Sequence, residues 1–350
     1  MDKVRIGFVG VGYMGQCAHL KSYVTVPDCE VVAIAEIREN LGKKVAAHYG
    51  VPKVYKNHED MLASEKLDGI VASQMFTRHG TLIPELLKAG VPVFTEKPIA
   101  GTIENGQKVV EAADKNSTWH MVGYHKRSDP ATMYAKAEID RLKATGELGA
   151  MKYVRISMPA GDWVANGLMG VITSDDPMPQ LEVDPPASDM DAATSEMYFL
   201  FVNYYIHQIN LMRHLLGESY KVTYADKSGV LLTVEGESGV TGIIEMSAYN
   251  TTIDWQESAL VAFERGWVKL DLPAPLAINR PGNVEILRDP GNGVVPERII
   301  PQLPWIHAMR QQAMNFVSAI KGESKPLCEG KEALEDLIVA RDYIRLFKGC

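Results

Sequence analysis

Val4-Arg5-Ile6-Gly7-Phe8-Val9-Gly10-Val11-Gly12-Tyr13-Met14-Gly15 decides the fold. Its first six residues form a short, mostly apolar run of strand length, and the glycines lead into a helical pattern reaching about Val26. Gly10 suits the tight turn, Gly12 lets backbone approach a pyrophosphate, and Gly15 lets the helix pack closely on the strand. Tyr13 and Met14 complete the turn, and an anion would sit at the helix N-terminus. A glycine turn alone says little. Here a second strand, Glu30 to Ala35, ends in Glu36, which stands 21 residues beyond Gly15, where a carboxylate grips the adenosine ribose diol. That charge selects NAD, because it repels the 2'-phosphate of NADP. Arg38, two residues on, is the feature that would admit NADP.

Downstream, helical and strand-like runs alternate: a helix Glu39 to Tyr49, a strand near Val54, a helix Glu59 to Ala63, a strand Gly69 to Ser73 and a helix His79 to Lys88. The strand Val91 to Thr95 then runs into Glu96-Lys97-Pro98, and a helix Ile103 to Lys115 leads to a last strand, Trp119 to Gly123. Such alternation implies right-handed crossovers and a parallel sheet. Proline biases its predecessor away from helix, so Lys97 is expected at a strand's carboxyl end, where open α/β sheets place their ligands. This half is expected to be a dinucleotide-binding domain over residues 1–124.

The second half, residues 125–350, has a different grammar. After a helix from about Ala131 to Lys143, strand-like segments recur near 151–158, 219–226, 229–235, 239–248, 258–264 and 267–272, with Glu264-Arg265-Gly266 as a hairpin turn. They predict an antiparallel or mixed sheet in an α+β domain. Pro159 to Ala193 lacks periodicity and reads as a long loop: a lid over substrate, an arm toward a neighbouring subunit or, equally, a disordered insertion, with Trp163 and Asp162 as weak candidates for substrate contact. From Glu196 to Leu216 one helix is predicted, placing Asn203, His207, Asn210 and His214 on one face. His207 suits proton transfer near neutrality. Two closing helices are expected near 305–321 and 331–348.

Composition sets the outer limits. The chain has 350 residues, room for two domains, with a net charge of -8. Its pI near 5.7 and the lack of a basic stripe argue against a nucleic-acid partner. Cys17, Cys29, Cys328 and Cys350 follow neither a disulfide nor a zinc spacing, so no metal is expected and the thiols read as reduced. No apolar run is long enough to span a membrane, and no signal-peptide pattern opens the chain, so a cytoplasmic protein is expected.

These residues together resemble the glucose-fructose oxidoreductase, inositol dehydrogenase and rhizopine catabolism (Gfo/Idh/MocA) family. The likeness is carried by the glycine turn, Glu96-Lys97-Pro98, the segment Val122 to Pro130, His207 within Tyr-Tyr-Ile-His-Gln-Ile-Asn, and the closing stretches Asn315 to Ile320 and Pro326 to Leu334. It implies an N-terminal Rossmann domain with a doubly wound parallel sheet, a C-terminal α+β domain with an open, mostly antiparallel sheet, and a homo-oligomer, dimer or tetramer. Carried over residue by residue, it makes Lys97 and His207 catalytic and puts Arg127, Asn203 and Asn210 at the substrate, with Gln74, His79 and Glu96 beside the cofactor. The family helix often carries aspartates where Asn203 and Asn210 stand, and its usual Thr-Pro appears here as Gln74-Met75. Neither asparagine can titrate, so proton transfer would fall on His207 and Lys97.

The expected function is hydride transfer between NAD and a secondary hydroxyl or keto carbon of a sugar, glycoside or cyclitol. Two alternatives stand beside it: a glycoside-cleaving enzyme that oxidises transiently without net redox, and a non-catalytic sugar or nucleotide sensor.

Overall fold

The computed structural model describes residues 3–349, and Cys350 lies outside them. The chain forms two compact units. The first contains the chain up to Tyr124, Asn166–Asn203 and Met309–Leu337; the second contains His125–Ala165, Tyr204–Ala308 and the chain from Ile338. A single cut after Tyr124 therefore does not describe the division, because two later segments fold with the first unit.

The first unit is built on six strands: β1 (Val4–Val9), β2 (Cys29–Ala35), β3 (Lys53–Tyr55), β4 (Gly69–Ala72), β5 (Val93–Glu96) and β6 (His120–Gly123). They run parallel in the order β3-β2-β1-β4-β5-β6. This is the doubly wound order, with its switch point where β1 lies between β2 and β4. Ile6, Phe8, Val71 and Phe94 are buried completely or nearly so, as strands covered on both faces must be. Phe316, on the helix Ala308–Ile320, completes this core: it is fully buried, with its ring 5.6 Å from Phe94, 5.5 Å from Trp119 and 6.4 Å from Tyr23. Burying such an aromatic contributes roughly 1.5–3 kcal/mol, which is why this late segment folds with the parallel sheet.

The other late segment reaches the first unit by polar tethers. Residues 166–191 form no helix or strand. Asp176 accepts hydrogen bonds from the Leu41 N–H and the Asn40 side chain, both 2.8 Å, at the start of the helix Glu39–Tyr49. Asp184 accepts the Gly80 N–H at 2.7 Å and the Thr81 hydroxyl at 2.8 Å, at the start of the helix His79–Leu87. Ile172 exchanges two hydrogen bonds with the Gln16 side chain. Two helices thus receive N-terminal carboxylates from a distant part of the sequence.

The second unit carries β7 (Met151–Ala160), β8 (Tyr220–Ala225), β9 (Leu231–Gly236), β10 (Thr241–Asn250), β11 (Glu257–Phe263), β12 (Gly266–Leu272), β13 (Asn283–Arg288) and β14 (Glu297–Ile299). Their order is β14-β13-β12-β11-β7-β10-β9-β8, antiparallel throughout except for the parallel pair β7 and β10. Burial alternates along β11, with Glu257, Ala259, Val261 and Phe263 inward, as a sheet with one covered face requires. The hairpin at Glu264-Arg265 forms as expected, whereas β13 and β14, short and charged, are additional to the strands the sequence predicts.

One helix is corrected. Instead of a continuous run from Glu196 to Leu216 there are two, Ala192–Tyr204 and Ile206–Leu216, broken at Tyr205. The Tyr205 hydroxyl donates to Ser247 Oγ at 2.5 Å and its ring packs edge-on against Tyr204, so this side chain is fixed to β10 at the break. Asn203 accordingly belongs to the first unit and His207 to the second, and they do not share one helix face.

Candidate active site

The glycine turn fits a dinucleotide pyrophosphate. Gly10 has φ +88°, a left-handed conformation that favours glycine, and a Cβ there would meet Gln74 Nε2 at 2.1 Å. At Gly15 a Cβ would lie 2.7 Å from the Gly10 carbonyl oxygen. At Gly12 its nearest neighbour would be Arg38 Nη2 at 3.6 Å, so the central glycine presents bare backbone. The helical run that follows begins in π form, Gly15–Leu20, and Tyr13 stands exposed beside Met14.

Glu36 stands immediately beyond the end of β2, buried, with its four acceptor positions occupied. Oε1 accepts the Arg38 N–H at 3.1 Å and Arg38 Nε at 2.8 Å; Oε2 accepts the Val11 N–H at 3.0 Å and Arg38 Nη2 at 3.1 Å. One carboxylate therefore fastens the glycine turn to the end of β2 and neutralises Arg38. Its hydrogen bonds hold the Arg38 guanidinium above its ordinary pKa.

Gln74 donates to the Val9 carbonyl at 3.3 Å and accepts from Arg78 at 2.7 Å, which places its amide against Gly10. His79, expected beside the cofactor, is instead completely buried. Its Nδ1 lies 3.2 Å and 3.1 Å from the carbonyl oxygens of Pro98 and Ile99, and burial lowers its pKa, so the neutral ring donates to the backbone just after Lys97. It shapes that loop and offers no surface to a ligand.

Lys97 follows β5 directly, and its peptide bond to Pro98 is cis. Glu96 is clamped by His19 at 2.6 Å and accepts the Lys97 N–H at 3.3 Å. Burial raises the Glu96 pKa, but the hydrogen bond and charge from His19, with Lys97 beside it, bring the balance below the ordinary value. A carboxylate and two histidines thus brace the backbone on either side of Lys97. The half-buried ammonium donates to the carbonyl of Asn203 at 2.7 Å.

In the second unit, His207 occupies the first turn of Ile206–Leu216, half-buried, its ring edge-on to His125 with centroids 4.7 Å apart. Arg127 and Asn210, expected at the substrate, are both buried, and Arg127 Nε donates to Asn210 Oδ1 at 2.6 Å. Their positions are those of a packed pair beneath the surface. His214 is kept neutral by burial, with Arg127 and Lys136 adding in the same direction. Trp163 is 42% exposed, and its carbonyl accepts the Leu276 N–H at 3.2 Å.

Sequence reasoning overlooked His19, His125 and a buried network around Glu257. That carboxylate pairs with Lys126, accepts Gln208 Nε2 at 2.7 Å and accepts Trp255 Nε1 at 3.1 Å. One signal was present: Glu257 falls in the inward register of β11, and an inward carboxylate demands partners. His19 and His125 carry no comparable signal, since their positions depend on contacts across the fold. Among the described residues no group of three or more His, Cys, Asp and Glu could hold a metal ion, and no helix is long and apolar enough to cross a membrane.

Residues 4–124 match the family described as "Oxidoreductase family, NAD-binding Rossmann fold", GFO_IDH_MocA. An inositol 2-dehydrogenase of Rhizobium meliloti is 24% identical over 98% of this chain and 96% of its own length. The myo-inositol 2-dehydrogenase of Thermotoga maritima is also 24% identical, over 69% of this chain and 63% of the relative. Among solved structures, the aldose-aldose oxidoreductase of Caulobacter crescentus superimposes with a TM-score of 0.71 over 99% of this chain and 98% of that one, at 18% identity, a likeness of fold. With the parallel strand order and the glycine turn of its first unit, the stretch 4–124 is a Rossmann fold that matches the Gfo/Idh/MocA oxidoreductase family.

Proposed function

We propose that the chain transfers hydride between NAD and a secondary alcohol carbon of a sugar, glycoside or cyclitol. The observation that carries this reading is the bracing of Lys97: an acid-base side chain at the carboxyl end of β5, held by Glu96, His19 and His79, in the same unit as a glycine turn shaped for a pyrophosphate. When bound, the nicotinamide supplies the hydride acceptor.

The remaining work falls to the chain's own groups. The Lys97 ammonium hydrogen-bonds the carbinol oxygen and stabilises the negative charge that grows there. His207 accepts the hydroxyl proton as the C–H bond yields its electron pair, leaving a ketone; in the reverse direction it returns the proton. Asn203 contributes its carbonyl oxygen to hold the Lys97 ammonium. NAD is assigned over NADP because the Arg38 charge is matched by Glu36 and is not held free for a 2'-phosphate. The protein is assigned to the cytoplasm, as a homo-oligomer.

A panel of monosaccharides, glycosides and cyclitols, each offered with NAD while NADH absorbance is followed, tests the assignment. Stoichiometric NADH with a ketosugar or ketocyclitol is expected. Glycoside cleavage with catalytic cofactor and no NADH would overturn it, as would the absence of any turnover.

A further inference from the structure

The second unit contains a cavity of about 540 Å³, lined by the segment 253–258 before and within β11, the end of β12 and the loop 273–283. His207 does not line it, so whatever fills it is not the group being oxidised.

Yet the cavity is tied to that histidine. Its lining includes Glu257, whose carboxylate holds Gln208, the residue after His207. An adjoining recess shares Leu272, Pro273 and Arg280 with it and is lined also by His125 and Asp129; the His125 ring is the one packed edge-on against His207.

The lining has a particular chemistry. Trp255, half-buried, forms an aromatic wall fixed by its Nε1–H bond to Glu257, and Tyr249 donates to Gln256 at 2.7 Å beside it. In the small adjoining recess, not in the cavity itself, Asp129 is 1% exposed; its Oδ1 accepts the Ala131 and Gly282 N–H groups at 2.8 Å and 2.9 Å, while Oδ2 has no hydrogen-bond partner among the described residues. A buried carboxyl oxygen of this kind needs a donor. Arg280 is exposed and offers donors. Aromatic surface with a few convergent polar groups suits a ring having both C–H faces and hydroxyls. An anion is disfavoured, since Asp162, Asp254 and Asp271 line the cavity against one guanidinium.

We propose that this cavity binds a second, uncharged sugar ring, so that the substrate of the reaction proposed above is a disaccharide or glycoside of more than one ring. The inference rests on that reading for the identity of the reacting ring. It adds where the rest of the substrate lies.

Two measurements test it on the full-length protein: kcat/KM with NAD for cellobiose, maltose, trehalose and lactose against their monosaccharides, and calorimetric titration of the same sugars. Wild type should favour at least one disaccharide by about tenfold or more, the scale of discrimination a shaped pocket supplies. Ala277→Trp, which fills the cavity, should abolish that ratio and the disaccharide's binding heat. Arg280→Ala, at an exposed position, should reduce the ratio and covers the case in which the first variant does not fold. Equal kcat/KM for one and two rings, a ratio unchanged in Arg280→Ala, or a preference for a sugar phosphate would each overturn the proposal. If no sugar reduces NAD but a disaccharide still binds wild type and not Ala277→Trp, the cavity assignment stands and the oxidoreductase reading falls.

Discussion

Acid should weaken the cofactor-binding unit through His120, and the size of the effect can be worked out. His120 begins β6, is 2% exposed, and has Nε2 2.9 Å from Thr95 Oγ1 on β5, two residues before Lys97. Burial, with His79 nearby, pushes its pKa from 6.5 down to about 3. Because the unfolded chain takes up this proton near pH 6.5 and the folded chain does not, stability is greatest above that pH and falls as pH drops toward about 3. At about 1.4 kcal/mol per unit of pKa, the loss between pH 7 and pH 5 comes to about 2 kcal/mol, and it depends little on how far below 5 the folded value lies. His79, fully buried and also lowered, adds in the same direction. His120→Gln retains a donor for Thr95 and cannot take up a proton. Urea unfolding at both pH values checks this, and Trp119, the one tryptophan of the five that falls in the first unit, reports on that unit in a background where the other four are phenylalanine. The variant should lose about 2 kcal/mol less than wild type over the interval. Equal losses would refute the claim that His120 is held neutral by the fold.

His207→Ala should lower turnover by about 10²–10⁴ while leaving NAD binding by calorimetry intact, the range for a lost acid-base group; wild-type turnover would make the histidine structural. Glu36→Gln removes the charge that neutralises Arg38, so kcat/KM should move toward NADP by about tenfold or more, equivalent to ~1.4 kcal/mol; an unchanged NAD to NADP ratio would show that this carboxylate only secures the glycine turn. Asp176→Ala and Asp184→Ala each remove a helix-capping carboxylate worth about 1 kcal/mol, so limited proteolysis within 166–191 should quicken by roughly fivefold. Unaltered cleavage would place the anchoring of this segment elsewhere.

What was legible in the sequence is what local pattern controls. The parallel sheet follows from apolar runs punctuated by glycine turns and helix starts, and the helices Glu39–Tyr49 and Ile103–Lys115 form with the bounds their periodicity predicts. Asn57 and Thr102, each accepting an N–H three residues on, show the capping chemistry that fixes such starts. The break at Tyr205 was not legible, because neither proline nor glycine marks it. The contact made at the break, Tyr205 to Ser247, reaches 42 residues along the chain.

The candidate site shows the same limit from its other side. Lys97, Gly10 and Glu36 could be placed from strand ends, yet the partners that define their chemistry come from elsewhere: His19 against Glu96, Asn203 against Lys97, Gln74 against Gly10. Asn210 is the clearest case. Read along the sequence it stands on a polar stripe; in the fold it is buried against Arg127, 83 residues earlier, and accepts from a guanidinium that is itself out of water. The amide partner is neutral; burial is the main cause of the lowered pKa of His214, and the Arg127 charge adds in the same direction. Asn210, on the helix that carries His207, is therefore a neutral partner to a buried guanidinium, a relation that becomes visible only when Arg127 is seen beside it.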